Sequence, residues 1–123
     1  MLKLVELDSQ VSVFQQMEDQ GDGPVVLINK FDIAAGDVEA FLAAWKADAS
    51  VMKHQPGFMS TQLHRGIGGS TVFLNYAVWE SAAHFKRAFR NPEFQSGLKE
   101  YPSSAVTSPH LFRKMAVDGI CVA

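Results

Sequence analysis

Two runs of alternating side chains, Phe58–Arg65 and Thr71–Trp79, are separated only by Gly66-Ile67-Gly68-Gly69-Ser70. Successive strand side chains point to opposite faces, so each run reads as a β-strand with one apolar face. The glycines adopt positive φ at little steric cost, which lets the chain reverse between the runs. The two strands are therefore expected to be antiparallel neighbours. A ribbon of this kind must hide its apolar face under another layer, and that requirement organises the rest of the chain.

The flanking sequence supplies such a layer. Val25–Ile33 reads as a strand with Val25, Leu27, Asn29, Phe31 and Ile33 on one face and Val26, Ile28, Lys30 and Asp32 on the other. Asp37 is placed to cap a helix in which Val38, Phe41, Leu42, Trp45, Ala49 and Met52 recur at helical spacing. That helix stops before Gln55-Pro56-Gly57. Ser81 can cap a second helix that turns Ala82, Phe85 and Phe89 inward and Lys86, Arg87 and Arg90 outward. Asn91-Pro92 begins a short third helix carrying Phe94 and Leu98, and Leu111–Val117 reads as a last strand.

The order β-α-β-β-α-β predicts an α+β, ferredoxin-like antiparallel sheet with helices on one face. Its second face would carry Val26, Ile28, Val72, Leu74 and Val78, which are too apolar to leave in water. A homodimer packed sheet against sheet is the expected solution. The predicted organisation is an extension over residues 1–23, a domain over 24–117 and a tail over 118–123.

Two amides interrupt the apolar face of this sheet. Asn75 shares its strand face with Phe73, Ala77 and Trp79, and Asn29 sits between Leu27 and Phe31. Asparagine is disfavoured inside strands and needs a hydrogen-bond partner when buried. The partner is either a fixed protein group or a ligand. If the two strands are adjacent, both amides converge on one cavity.

Composition narrows the function classes. The 123 residues are 47% hydrophobic and 20% charged, with a net charge of −2, an ordinary globular profile with no basic field for nucleic acid or anionic membrane. No apolar run approaches a membrane span, no secretory leader is expected, and the single Cys121 allows no internal disulfide. A cytoplasmic protein is expected. The four histidines, His54, His64, His84 and His110, show no metal-ligand spacing. His64 lies on a strand, where it is either a surface residue or a proton acceptor for a phenol.

Three separated segments, Gln55-Pro56-Gly57-Phe58, Asn75-Tyr76-Ala77-Val78-Trp79-Glu80-Ser81 and Asn91-Pro92-Glu93-Phe94, together resemble the antibiotic biosynthesis monooxygenase (ABM) family of dimeric α/β barrels. The resemblance covers roughly residues 24–117 and implies a ligand cavity between helices and sheet in each protomer. One branch of that family oxidises electron-rich phenols to quinones with O₂ and neither metal nor flavin, so no cofactor is implied. Its strand Asn and Trp fall on Asn75 and Trp79, a helix Tyr falls on Phe85, and an Arg falls on Lys99. Another branch degrades haem, but its iron-ligating His is Leu98 here and its helix Trp is Ala88, which disfavours haem chemistry.

The expected activity is a cofactor-independent oxidation of a small electron-rich phenol or quinol. Asn75, Trp79 and His64 are the candidate catalytic residues; Asn29, Phe85 and Lys99 are the candidate substrate contacts. The alternative is a non-catalytic dimeric barrel that binds a small hydrophobic metabolite.

Overall fold

The computed structural model describes residues 2–123. The chain forms β1 (Lys3–Leu4), α1 (Val13–Gln16), β2 (Val25–Asp32), α2 (Val38–Met52), β3 (Phe58–Arg65), β4 (Val72–Trp79), α3 (Ala82–Phe89), α4 (Pro92–Gly97) and β5 (Val106–Phe112). The strands make one sheet in the order β1-β5-β2-β4-β3. Only the β1–β5 pair is parallel. The four longer strands thus have the ferredoxin-like order, with helices on one face, and the short β1 is added at one edge.

The local chemistry explains the junctions. The β3–β4 hairpin turns through Gly68 and Gly69, with φ of 71° and 78°. Gly57, at φ 86°, ends the α2 connection, and a Cβ there would lie 2.3 Å from the His84 ring. Only glycine meets both demands. Ser81 caps α3 by accepting from the His84 backbone N–H at 3.2 Å, and Asn91 caps α4 by accepting from Glu93 N–H at 2.8 Å.

Several expectations need correction. Asp37 does not cap α2 through its side chain; the helix is entered by a 3₁₀ turn, and the Asp37 carboxylate accepts from Ser104 Oγ at 2.7 Å. Leu42 is exposed, because the buried stripe of α2 runs through Phe41, Ala44 and Asp48, one step round the helix. In α3, Ala88 is buried beside Ala82 and Phe85, and Phe89 turns inward as expected but stays half-buried against the same cluster. The last strand begins five residues earlier than the pattern suggested. Pro109 lies inside it, which is tolerable because Pro109 has the parity of Leu111, whose N–H points off the β2 side to Gln16 Oε1 at 2.7 Å. The missing proline donor therefore leaves no gap in the β2–β5 ladder.

The N-terminal residues belong to the packed structure. Val13 and Met17 join Val25, Leu27, Trp79 and Ala82 in one apolar cluster, and Val13 is fully buried. Leu2, Lys3 and Val5 donate to the backbone carbonyls of Leu98, Ala105 and Thr107. The segment adds β1 to the sheet edge beside β5. A second cluster gathers Phe31, Ile33, Phe41, Phe73 and Tyr101, with Leu2 and Trp45 packed against it. Both clusters lie between sheet and helices, and the functional question concerns what separates them.

Candidate active site between helices and sheet

A row of polar side chains crosses the helix-covered face of the sheet. Asn29 and Asn75 are direct partners in the β2–β4 ladder. Outside them, Thr61 on β3 donates its hydroxyl to Asn75 Oδ1, and Thr107 on β5 donates to Asn29 Oδ1. Four strands thus contribute one polar side chain each to a belt between the apolar clusters. The threonines occupy the amide carbonyls and leave the amide donors over. Among the described residues neither side-chain NH₂ group has a protein acceptor.

Above this belt lies a cavity with about 130 Å³ of room for water centres. Its sheet side includes Asn29, Asn75, Thr61 and Thr107; Trp45 and Met52 of α2, Phe85 of α3 and Phe94 of α4 close the helix side. Leu2 and Leu4 complete the wall from the N-terminal edge. The volume exceeds several waters, and the lining is mostly apolar with a few placed polar groups, the usual character of a small-molecule site.

Trp79 lies to one side of the belt, four residues along β4 from Asn75, 1% exposed and held edge-on by Phe58 and Phe85 at ring-centroid distances of 5.4 and 5.8 Å. Its indole Nε1–H is the one buried side-chain polar atom among the described residues that lacks a hydrogen-bond partner. A buried tryptophan N–H normally finds an acceptor, and leaving one unmade costs about 1–3 kcal/mol. The residue lines the cavity. The N–H itself is closed to water in this structure, so a ligand oxygen would satisfy it only after a small shift of the neighbouring side chains.

The helix wall holds the group that sequence reasoning missed. Asp48 is 7% exposed and lines the cavity from α2. Burial pushes its carboxyl up from 3.8 to about 6, against a smaller opposing pull from the Tyr101 hydroxyl. Tyr101 is itself raised, by burial first and then by the Asp48 charge, so it remains a protonated donor. The signal was in the spacing: Asp48 falls three residues after Trp45 and four before Met52, on the stripe otherwise reserved for the core. A carboxylate at that phase is as informative as an amide on an apolar strand.

The structure brings together Asn29, Asn75, Trp79 and Phe85. It does not bring His64 or Lys99 to them. His64 pairs with Leu74, the parity opposite to Asn75, and it is exposed on the far face with Nδ1 3.1 Å from Gln62 O. Lys99 is exposed in the 3₁₀ turn between α4 and Tyr101, although its neighbour Leu98 lines the cavity. Chemically, the site opposes N–H donors on the sheet to one carboxylate acceptor on the helices, within apolar walls.

Residues 24–100 match the antibiotic biosynthesis monooxygenase family. The chain belongs to this family. The fold comparison agrees: a crystal structure from Shewanella loihica PV-4, with a proposed monooxygenase assignment, is 33% identical. It covers 79% of this chain and 99% of that one, with a TM-score of 0.68. SnoaB, a cofactor-independent oxygenase from Streptomyces nogalater, has the same fold at 24% identity and a TM-score of 0.70, covering 79% of this chain and 98% of its own. Deoxynogalonate monooxygenase from the same organism is 31% identical over 70 residues, which is 57% of this chain and 58% of that protein. The matched part of this curated relative is thus little more than half its length. Among the described residues of this ABM protein, no helix is long and apolar enough to cross a membrane.

Proposed function

We propose that this ABM protein is a monooxygenase that oxidises a small electron-rich phenol or quinol with O₂ and without a cofactor. The observation that carries the reading is the unpartnered donor set: two amide NH₂ groups on one apolar cavity, and the buried indole N–H of Trp79, a residue that lines it. A phenolate oxygen suits such a set, because an anion in apolar surroundings requires N–H donors, and donors fixed in advance stabilise charge without reorganising. Trp45, Phe85 and Phe94 supply flat apolar walls for an aromatic ring. The description of SnoaB as a cofactor-independent oxygenase supports the same chemistry.

In this mechanism the phenol loses its O–H proton and the electron pair stays on oxygen. The phenolate passes one electron to O₂, and the resulting radical pair forms a C–O bond at a ring carbon that bears hydrogen. Protonation of the terminal peroxide oxygen and cleavage of the O–O bond release hydroxide. The displaced C–H proton converts that hydroxide to water, leaving a quinone carbonyl. Phenol and O₂ are consumed one to one, and no outside reductant is needed. Asn75 and Trp79 are the donors assigned to the reacting oxygen, with Asn29 and Phe85 as substrate contacts. His64 and Lys99 take no part in this assignment.

The protein works as a homodimer in this account. Ile28, Leu74 and Val78 are only half-buried on the sheet face away from the helices, and Tyr76 beside them is exposed. A second copy laid on that face would cover them. The catalytic reading is tested with ¹⁸O₂ and a panel of dihydroxynaphthalenes and anthrones. One labelled oxygen per quinone and one O₂ per product are expected. Saturable ligand binding without oxygen uptake would instead favour the metabolite-binding reading.

A further inference from the structure

We propose that Asp48 is the acceptor of the phenolic proton in this cavity and that Tyr101 positions it. The assignment rests on the phenol-oxidising reading above and deepens it. Asp48 stands on the helix side, and the amide row forms the sheet side of the same space. A substrate hydroxyl held by the N–H donors therefore lies in a cavity that also contains a carboxylate.

The setting is hard to explain as packing. Asp48 shares its helical stripe with Phe41, Ala44, Trp45 and Met52, where an aliphatic side chain would serve the core better. Among the described residues no lysine, arginine or histidine pairs with it. A buried carboxylate without a cation is costly to retain. Space is also kept for it: a Cβ at Gly97 would lie 2.7 Å from Asp48 Oδ1, so α4 passes this carboxylate where it has no side chain.

The surrounding charges are few. Asp48 and Tyr101 are the ionisable side chains that line the cavity among the described residues. On the elements packed against α2, Glu93, Lys99 and Glu100 are exposed, as are Glu39 and Lys46 on α2 itself. The raised carboxyl value therefore reflects burial, with Tyr101 as the opposing partner. A base of this strength is ionised at neutral pH yet can hold a proton, which is what general-base work requires.

In the step assigned to it, the substrate O–H bond breaks and the proton moves to a carboxylate oxygen of Asp48. The electron pair remains on the phenolate oxygen, which Asn75 and Trp79 hold. After O₂ adds, the same proton passes to the terminal peroxide oxygen, so Asp48 is ionised again when water leaves.

The test uses the whole chain, 1-naphthol, and 1-methoxynaphthalene, which lacks the hydroxyl. Wild type is expected to bind naphthol about tenfold more tightly at neutral pH than at pH 5, where the carboxyl is protonated. The methyl ether is expected to bind equally at both. In Asp48→Asn the naphthol pH dependence disappears, and kcat/KM for oxygen uptake falls about a hundredfold or more. Tyr101→Phe removes the group that lowers the Asp48 value, so it moves the binding midpoint to higher pH. That variant keeps the carboxylate and serves if Asp48→Asn does not fold. Naphthol binding that stays pH-dependent in Asp48→Asn, or a midpoint unmoved in Tyr101→Phe, would overturn the assignment while leaving the phenol reading intact. Failure of wild type to bind either naphthalene would defeat both. Asp48-dependent naphthol binding with no oxygen uptake supports the acceptor role and removes the monooxygenase reading alone.

Discussion

Replacing Asp48 with asparagine should make the protein more stable at neutral pH while disabling it. The carboxyl ionises near 3.8 in the unfolded chain and near 6 in the folded one, because burial penalises its charge. Below pH 3.8 both states carry the proton and this group exerts no penalty. As pH rises from there, the unfolded chain loses its proton first, so this group destabilises the fold progressively until about pH 6. Above that the penalty is constant. The gap corresponds to about 3 kcal/mol at most, and about 2 is realistic where the carboxylate reaches the cavity. Asparagine has nearly the same shape and no charge, so it avoids the penalty and can still accept from Tyr101. Urea unfolding of both proteins at equal concentration, at pH 3.5 and pH 7.5, measures the effect. The variant should match wild type at the lower pH and exceed it by about 2–3 kcal/mol at the higher. A variant that is less stable at pH 7.5, or an advantage of equal size at both, would refute the burial argument. Stability gained at the expense of activity is also what a functional residue predicts and a structural one does not.

Four further outcomes follow from the geometry. Gly57→Ala must place a Cβ at φ 86° and 2.3 Å from the His84 ring, so it should cost about 2 kcal/mol or more in chemical denaturation. Gly68→Ala, also at positive φ but in open space, should cost only about 1 kcal/mol, and equal losses would remove the steric argument. Trp79→Phe keeps the aromatic wall but deletes the unpartnered N–H, so naphthol affinity should fall about tenfold with the fold retained by circular dichroism. Leu74→Asp puts a charge on the sheet's outer face and should convert a dimer to a monomer in sedimentation experiments without altering the protomer's helix content.

Particular residues show what was legible in the chain. The strand over Phe58–Arg65 and the glycine turn follow from alternation and turn chemistry, both of which are local, whereas the direct pairing of Asn29 with Asn75 is set by the register of two distant strands. The homologous spacing of three short segments was enough to identify the family. Asp48 escaped because the helical stripe was read only for its apolar members; its meaning depends on Tyr101, 53 positions away. The last strand was placed late because Pro109 argues against a strand until its neighbours are known, and β1 stops short of it. His64 was drawn in by its chemistry, but its parity relative to Asn75 depends on cross-strand register. The irregularity between Phe58 and Ser60 shows how such a register can shift. The docking of Val13 and Met17 into the core was likewise a long-range outcome of a short segment that looked polar and detached.

The central claim is that the unpartnered donors face a phenolic substrate as it is oxidised. Oxygen uptake by wild type and Asn75→Ala across the dihydroxynaphthalene and anthrone panel tests it most directly. Wild type should consume O₂ with at least one member, and the variant should lose about a hundredfold in kcat with its fold intact. Equal uptake by the two proteins, or none by wild type on any member, would contradict the account.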